Sequence, residues 1–247
     1  MLDVRNLDKS FGAIHVTRDV SMSLQKGERR VILGPNGAGK TTLFNLLVGE
    51  LKADKGQIVL GGEDVSEMNV PQRARRGLSR SYQKNMLFDP LSIRENLTLA
   101  ASVQQGSAGS LLRDSLRSSE VKASIEEVAE RVNLADVLDR HVSEVSYGMR
   151  RQLEVGLALA TRPRVLLMDE PTSGIGPEMQ HKFHDMLNGL PRDLTMLIIE
   201  HDMDLAFDVA DTVTVLNYGQ VVFDGAPQEA RDSDLLKEIY LGSWDHA

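Results

Sequence analysis

One segment, GPNGAGKTT from Gly34 to Thr42, constrains this chain more than any other, because it contains G-x-x-x-x-G-K-[ST] between Gly34 and Thr41. The compact apolar run RRVILG precedes it. KTTLFNLLVGE follows, with Leu43, Leu46 and Leu47 on one helical face and Gly49 as a stop. Strand, glycine-rich turn and helix in that order form a phosphate cradle. Gly34, Gly37 and Gly39 let the backbone curl so that successive N–H groups point at phosphate oxygens, with Asn36 and Ala38 completing the loop. Lys40 adds a mobile charge for the β and γ phosphates, the Thr41 hydroxyl can bind Mg²⁺, and Thr42 stands beside it. Taken alone, the loop leaves GTPases, kinases and many ATPases open.

A second apolar strand, VLLMDE from Val165 to Glu170, ends in two carboxylates. Strand alternation points them in different directions, so Asp169 is suited to holding Mg²⁺ and Glu170 to reaching an attacking water. The second acid favours a hydrolase over a nucleotide kinase. TMLIIEHDMD repeats the arrangement and brings His201 to a strand's C-terminal end, where α/β sheets bind ligands and where a histidine can orient water or Glu170. Gln83, in SRSYQKNMLFDPLSIREN, is a neutral amide able to touch Mg²⁺ or water at the entrance to a helical region.

EVSYGMRRQLEVGLALA, Glu144 to Ala160, starts a helix at the N-cap Ser146. Its first turn carries Arg150 and Arg151 where the macrodipole favours carboxylates. Ser146 and Gly148 leave backbone N–H groups open to an anion. The alternative is a solvated helix end on which Arg150 pairs with Glu154.

The 247 residues, 41% hydrophobic and 26% charged, suffice for a sizeable core, and a net charge of -8 argues against a general nucleic-acid binder. Arg73, Arg75, Arg76 and Arg80 read as a solvated helix face. No cysteine is present, and His181 and His184 lack nearby ligands for a zinc site. No basic, apolar leader opens the sequence and no apolar run approaches a membrane span, so the expected location is cytoplasmic, or peripheral on a membrane through a partner. Strands are expected at LDVRNL, VSMSL, RRVILG, QIVL, VLLMD and TMLIIE, with a hairpin in TVTVLNYGQVVFDG. Helical patterns dominate between Asn96 and Leu159, with a Gly/Ser break at QQGSAGS.

Together these pieces resemble the nucleotide-binding subunits of ATP-binding cassette (ABC) transporters over essentially the whole chain. In order they are a Walker A-like GPNGAGKTT, a Q-loop-like Gln83, a signature-like VSYGM, a Walker B-like VLLMDE and a switch histidine, His201. The resemblance implies a P-loop NTPase, RecA-like α/β core of residues 1–85 and 161–247. An antiparallel β subdomain accompanies it, and a helical subdomain spans 86–160. It implies ATP and Mg²⁺ as cofactors, with Thr41, Gln83 and Asp169 at the metal, Glu170, His201 and Gln83 in catalysis, and Phe11 stacking on adenine. Ser146 and Gly148 are implied to bind, in trans, the ATP held by a second ATPase subunit, identical or not.

Transmembrane permease subunits and, indirectly, a periplasmic solute-binding protein are the implied partners, with the chain on the cytoplasmic face of the inner membrane and no nucleic acid. The family's common Leu-Ser-Gly-Gly-Gln is here Val145 to Met149, with Tyr147 and Met149 replacing Gly and Gln, and Gly176 stands where an aspartate is usual. Tyr147, LIIEHDMD and the C-terminal YLG also resemble the subfamily serving branched-chain amino acid and urea importers. An ABC export or lipid-transport subunit and a soluble ABC ATPase of DNA repair or translation are the alternatives.

Overall fold

The computed structural model describes residues 1–81, 87–104 and 119–241. Gln83 and most of the QQGSAGS break lie outside these residues. Among the described residues two sheets organise the fold. In the first, β1 (Leu2–Phe11) and β2 (Ile14–Leu24) form a hairpin, and β1 also pairs with β4 (Lys55–Leu60), which pairs with β5 (Glu63–Asp64), all antiparallel. The second has the order β10-β9-β3-β8-β7-β6 among the described residues. Its members are β3 (Arg29–Leu33), β6 (Leu78–Arg80), β7 (Val165–Asp169), β8 (Thr195–Ile199), β9 (Thr212–Asn217) and β10 (Gln220–Gly225). From β9 to β6 they run parallel, and β10 closes the edge as an antiparallel hairpin. The sequence-expected strands all form. β5 and β6 were not legible, being two and three residues long and too short to show a period.

Side-chain alternation in the parallel strands builds a core on each face. Ile32, Leu167, Leu197 and Ile199 pack with α1 (Lys40–Val48) and the antiparallel sheet. Val31, Leu166, Met168, Met196 and Ile198 point the other way, into the remaining helices. These strands are buried on both faces, which is why they read as unbroken apolar runs.

Between the neighbouring strands β6 and β7 the chain leaves the sheet and builds α3 (Ile93–Gln104), α4 (Ser119–Arg131) and α5 (Tyr147–Ala160), which pack on one another. Their cluster includes Ile93, Leu97, Ile125, Val132 and Leu153. After β7 come α6 (Pro177–Gly189) and α7 (Met203–Val209), and α8 (Pro227–Asp232) and α9 (Asp234–Leu241) end the described chain.

The arginine cluster is not a solvated helix face. Arg73, on α2 (Val70–Arg75), is buried and donates to Leu46 O at 2.5 Å, Leu47 O at 2.7 Å, and Met68 O and Ser66 O at 2.9 Å each. Two of those carbonyls belong to the last turn of α1, so the guanidinium neutralises the negative end of the phosphate-loop helix. Arg80 lies on β6, where it pairs with Glu50 at 2.6 Å and stands 5.5 Å from the Phe44 ring centre.

Candidate nucleotide site

The phosphate loop joins the central strand β3 to α1. Gly39 is the N-cap of that helix with φ 100°, and a Cβ there would stand 2.7 Å from Val16 O. At Gly34 a Cβ would stand 2.2 Å from Leu216 O. Those two positions exclude every side chain, so the glycine spacing is a steric requirement of threading the loop between β2 and β9. Gly219 N donates to Ala38 O at 3.0 Å and braces the loop from the β9–β10 turn. The first turn of α1 contains no acid, leaving its N-terminal dipole to an incoming anion.

Lys40 is buried and its Nζ donates to Gly34 O at 2.5 Å and Pro35 O at 3.1 Å. Burial lowers its pKa, opposed by the charges of Glu170 and Asp169. Asn36, Gly37 and Thr41 are exposed and Thr42 half-buried at the mouth of the loop. Phe11, at the end of β1, is 48% exposed, with Lys9 Nζ 5.6 Å from its ring centre. An exposed aromatic at a strand end offers a free face for stacking.

Asp169 ends β7 beside Ile199 of β8. Burial first, and the neighbouring Glu170 second, push its pKa up to about 6 against the pull of Arg80 and Lys40. Glu170 leaves the strand: its φ is 45° and its N–H donates to Ile199 O at 2.8 Å. The divergence of the two acids therefore comes from a left-handed turn at Glu170 and not from strand alternation, a conformation that carries strain in a non-glycine residue and recurs at active sites. His201 Nδ1 lies 3.9 Å from Glu170 Oε1 and 3.7 Å from Glu200 Oε2, and the histidine is largely exposed.

A divalent cation fits this donor set. Burial and the like charge of Glu170 hold Asp169 above the usual carboxylate range, and a bound cation would favour its charged form. Among the described residues no three His, Cys, Asp or Glu side chains converge on a metal position. Thr41 and Asp169 would hold such an ion, with phosphate and water supplying the other oxygens that Mg²⁺ requires. Gln83 lies outside the described residues, so its place at this ion is not part of the geometry.

Sequence reasoning assigned no role to Glu200. Its carboxylate is fully buried and accepts from Thr172 Oγ1 at 2.8 Å, Thr172 N at 3.3 Å and its neighbour His201 N at 3.1 Å. Burial raises its pKa, opposed by these hydrogen bonds. The available signal was an acid continuing an apolar strand without a polar break.

Ser146 caps α5, its Oγ accepting from Met149 N at 3.3 Å. The arginines of that turn are not free, nor paired as the sequence suggested. Arg150 binds Asp89 at 3.0 Å and Arg151 binds Glu154 at 2.7 Å. Gly148 is buried against α6, where a Cβ would stand 2.7 Å from Met179 Cγ. The principal neighbours of α5 are α3, α4 and β6. Ser146 caps α5 and Gly148 packs on α6, whereas the phosphate loop leads into α1.

The family model described as ABC transporter matches residues 17–173, which carry the phosphate loop, the signature-like segment and Glu170. The chain belongs to the ABC transporter family. Its ATP hydrolysis is coupled to transmembrane transport. The cassette is 34% identical, over 98% of each chain, to the high-affinity branched-chain amino acid transport ATP-binding protein BraF of Pseudomonas aeruginosa. It is 33% identical, over 98% of each chain, to LivG of Salmonella typhimurium, which carries the same description. With the lipopolysaccharide export system ATP-binding protein LptB of Haemophilus influenzae it shares 32% identity over 98% of this chain and 97% of that one.

An ATP-binding cassette of an ABC transporter, solved in its ADP conformation, superposes with a TM-score of 0.84 at 29% identity over 98% of each chain. Among the described residues no helix is long and apolar enough to cross a membrane.

Proposed function

We propose that this cassette energises import of branched-chain amino acids or a similar small polar solute. The observation that carries the reading is similarity to BraF and LivG over 98% of the chain, combined with Asp169 and Glu170 standing near enough to Lys40 of the phosphate loop for their charges to act on it. In this reading the backbone of residues 34–41, with Lys40, holds the phosphates of ATP. Phe11 stacks on adenine, and Thr41 and Asp169, with Gln83, hold Mg²⁺. The ion supplies charge neutralisation at the β and γ phosphates. Glu170 polarises the attacking water, and His201 orients that water or Glu170.

Ser146 and the N-terminus of α5 bind the γ-phosphate of ATP held by a second ATPase subunit. The acid-free first turn of α5, capped by Ser146, supports an anion at this helix end. ATP would draw the two subunits together and hydrolysis would release them.

Residues 86–160 form the helical subdomain that passes this motion to permease subunits at the cytoplasmic face of the inner membrane. An apolar groove of about 430 Å³ between β6 and helices α3 and α5, lined by Arg80, Phe88, Leu99, Ala100, Leu157 and Ala158, suits a permease helix. The similarity to LptB supports a second reading, a lipid-export ATPase. Deleting the gene and measuring uptake of labelled leucine, isoleucine and valine separates the two, together with identification of the membrane proteins that co-purify with the tagged chain. Import predicts loss of uptake and a multi-span permease with a solute-binding protein. Normal uptake with lipid-transport partners would overturn it.

A further inference from the structure

Tyr147 stands where the family's signature carries glycine, and its side chain reaches back onto its own subunit. Its hydroxyl donates to Ser173 O at 3.2 Å and accepts from Arg151 Nε at 3.0 Å. The Arg151 guanidinium lies 5.1 Å from the ring centre and pairs with Glu154. Gly174, at φ 77°, makes room for the ring: a Cβ there would stand 3.1 Å from the Tyr147 hydroxyl. A half-exposed aromatic is thereby fixed on the turn that follows β7.

The same turn is held by Glu200 through Thr172. Ser173 N donates to Glu170 O at 3.0 Å, so the segment held by Tyr147 and Glu200 is continuous with the carboxylate proposed to act in hydrolysis. A cavity of about 10 Å³ has Asp169, Pro171, Arg151 and Glu154 in its lining, which places the Arg151–Glu154 pair of α5 against the end of β7 across a space on the scale of one water. Both routes lead from the signature helix to the acids of the same chain.

We propose that Tyr147 is a positioning residue that couples the signature segment to the Thr172–Gly174 turn of its own chain, so that seating the partner's ATP on Ser146 fixes the placement of Glu170. The proposal rests on the trans reading above. It gives the tyrosine a role that glycine cannot fill, and it makes each subunit's hydrolysis depend on the ATP held opposite.

Tyr147→Phe keeps the ring and its packing on Gly174 and Arg151 but removes the hydroxyl. In the full chain, with the subunits that co-purify with it, this variant should keep KM for ATP within about twofold while kcat falls about 2- to 10-fold, the net effect of one or two hydrogen bonds. In the Glu170→Gln background it should still associate when Mg-ATP is added. Hydrogen exchange of residues 171–176 should be faster than in the parent. A tyrosine that only stabilises the fold would lower the melting temperature and leave kcat intact.

Ser146→Arg in the Glu170→Gln background is the control. If it leaves ATP-driven association intact, the trans reading falls and this coupling with it. If it blocks association while Tyr147→Phe hydrolyses at the wild-type rate, the coupling alone is wrong. Loss of association in Tyr147→Phe would also overturn it, making the hydroxyl a dimer contact.

Discussion

The ends of β7 and β8 lie side by side, run parallel and deliver carboxylates to the same edge of the sheet, but the two sites use them in opposite ways. Glu170, in a left-handed turn, keeps about a third of its side chain exposed and faces His201. Glu200 is fully buried and spends its oxygens on Thr172 and on the amide of His201. One acid is left free to meet water. The other fixes the loops that present it. Burial and hydrogen-bond partners, more than residue type, separate the acid proposed to react from the one that supports it.

Substitution at the two glutamates breaks the comparison most sharply. Glu170→Gln should lower kcat by about 10²–10⁴-fold, the usual range for removing a general base, whereas Glu200→Gln retains an acceptor for Thr172 and should stay within about tenfold of wild type. Steady-state phosphate release measures both. Equal losses would mean that the acids are not divided in this way.

Stability should rank the residues in reverse. Glu200→Ala leaves the Thr172 amide and hydroxyl and the His201 amide without their acceptor. It should cost about 1–3 kcal/mol, or about 2–12 °C in melting temperature. Glu170→Ala should cost less, and thermal melts of the two variants decide the order.

Asp169 gives the smallest and most specific effect. Its pKa rises from 3.8 to about 6 on folding, so between those values the folded chain holds a proton that the unfolded chain has released. Its contribution to stability is therefore greatest below roughly pH 4, declines as the pH rises to about 6 and is flat beyond. Asp169→Asn should remove that decline and melt no lower than wild type at neutral pH, while losing hydrolysis. An unchanged pH slope in the variant would show that Asp169 is not the group held above its ordinary range.

The phosphate loop was readable because its conformation is written in the residues themselves: Gly34 and Gly39 sit where a Cβ would strike a neighbouring carbonyl. The parallel strands were readable because burial on both faces leaves uninterrupted apolar runs. Features set by contacts between distant segments were not. Arg150 meets Asp89, 61 residues earlier, where the local sequence offered Glu154. Arg73 caps a helix 26 residues away, and Glu200 grips Thr172 across 28 residues. Tyr147 showed as a departure from a family pattern, but only the folded chain shows its contact with Ser173.

The central claim is that Glu170 hydrolyses an ATP whose presence brings two subunits together. The most direct measurement is sedimentation of the Glu170→Gln chain, with its co-purifying ATPase partner if there is one, with and without Mg-ATP. A dimer that forms only with Mg-ATP and keeps its ATP unhydrolysed is the expected result. Wild-type turnover by Glu170→Gln, or no association on adding Mg-ATP, would contradict the account.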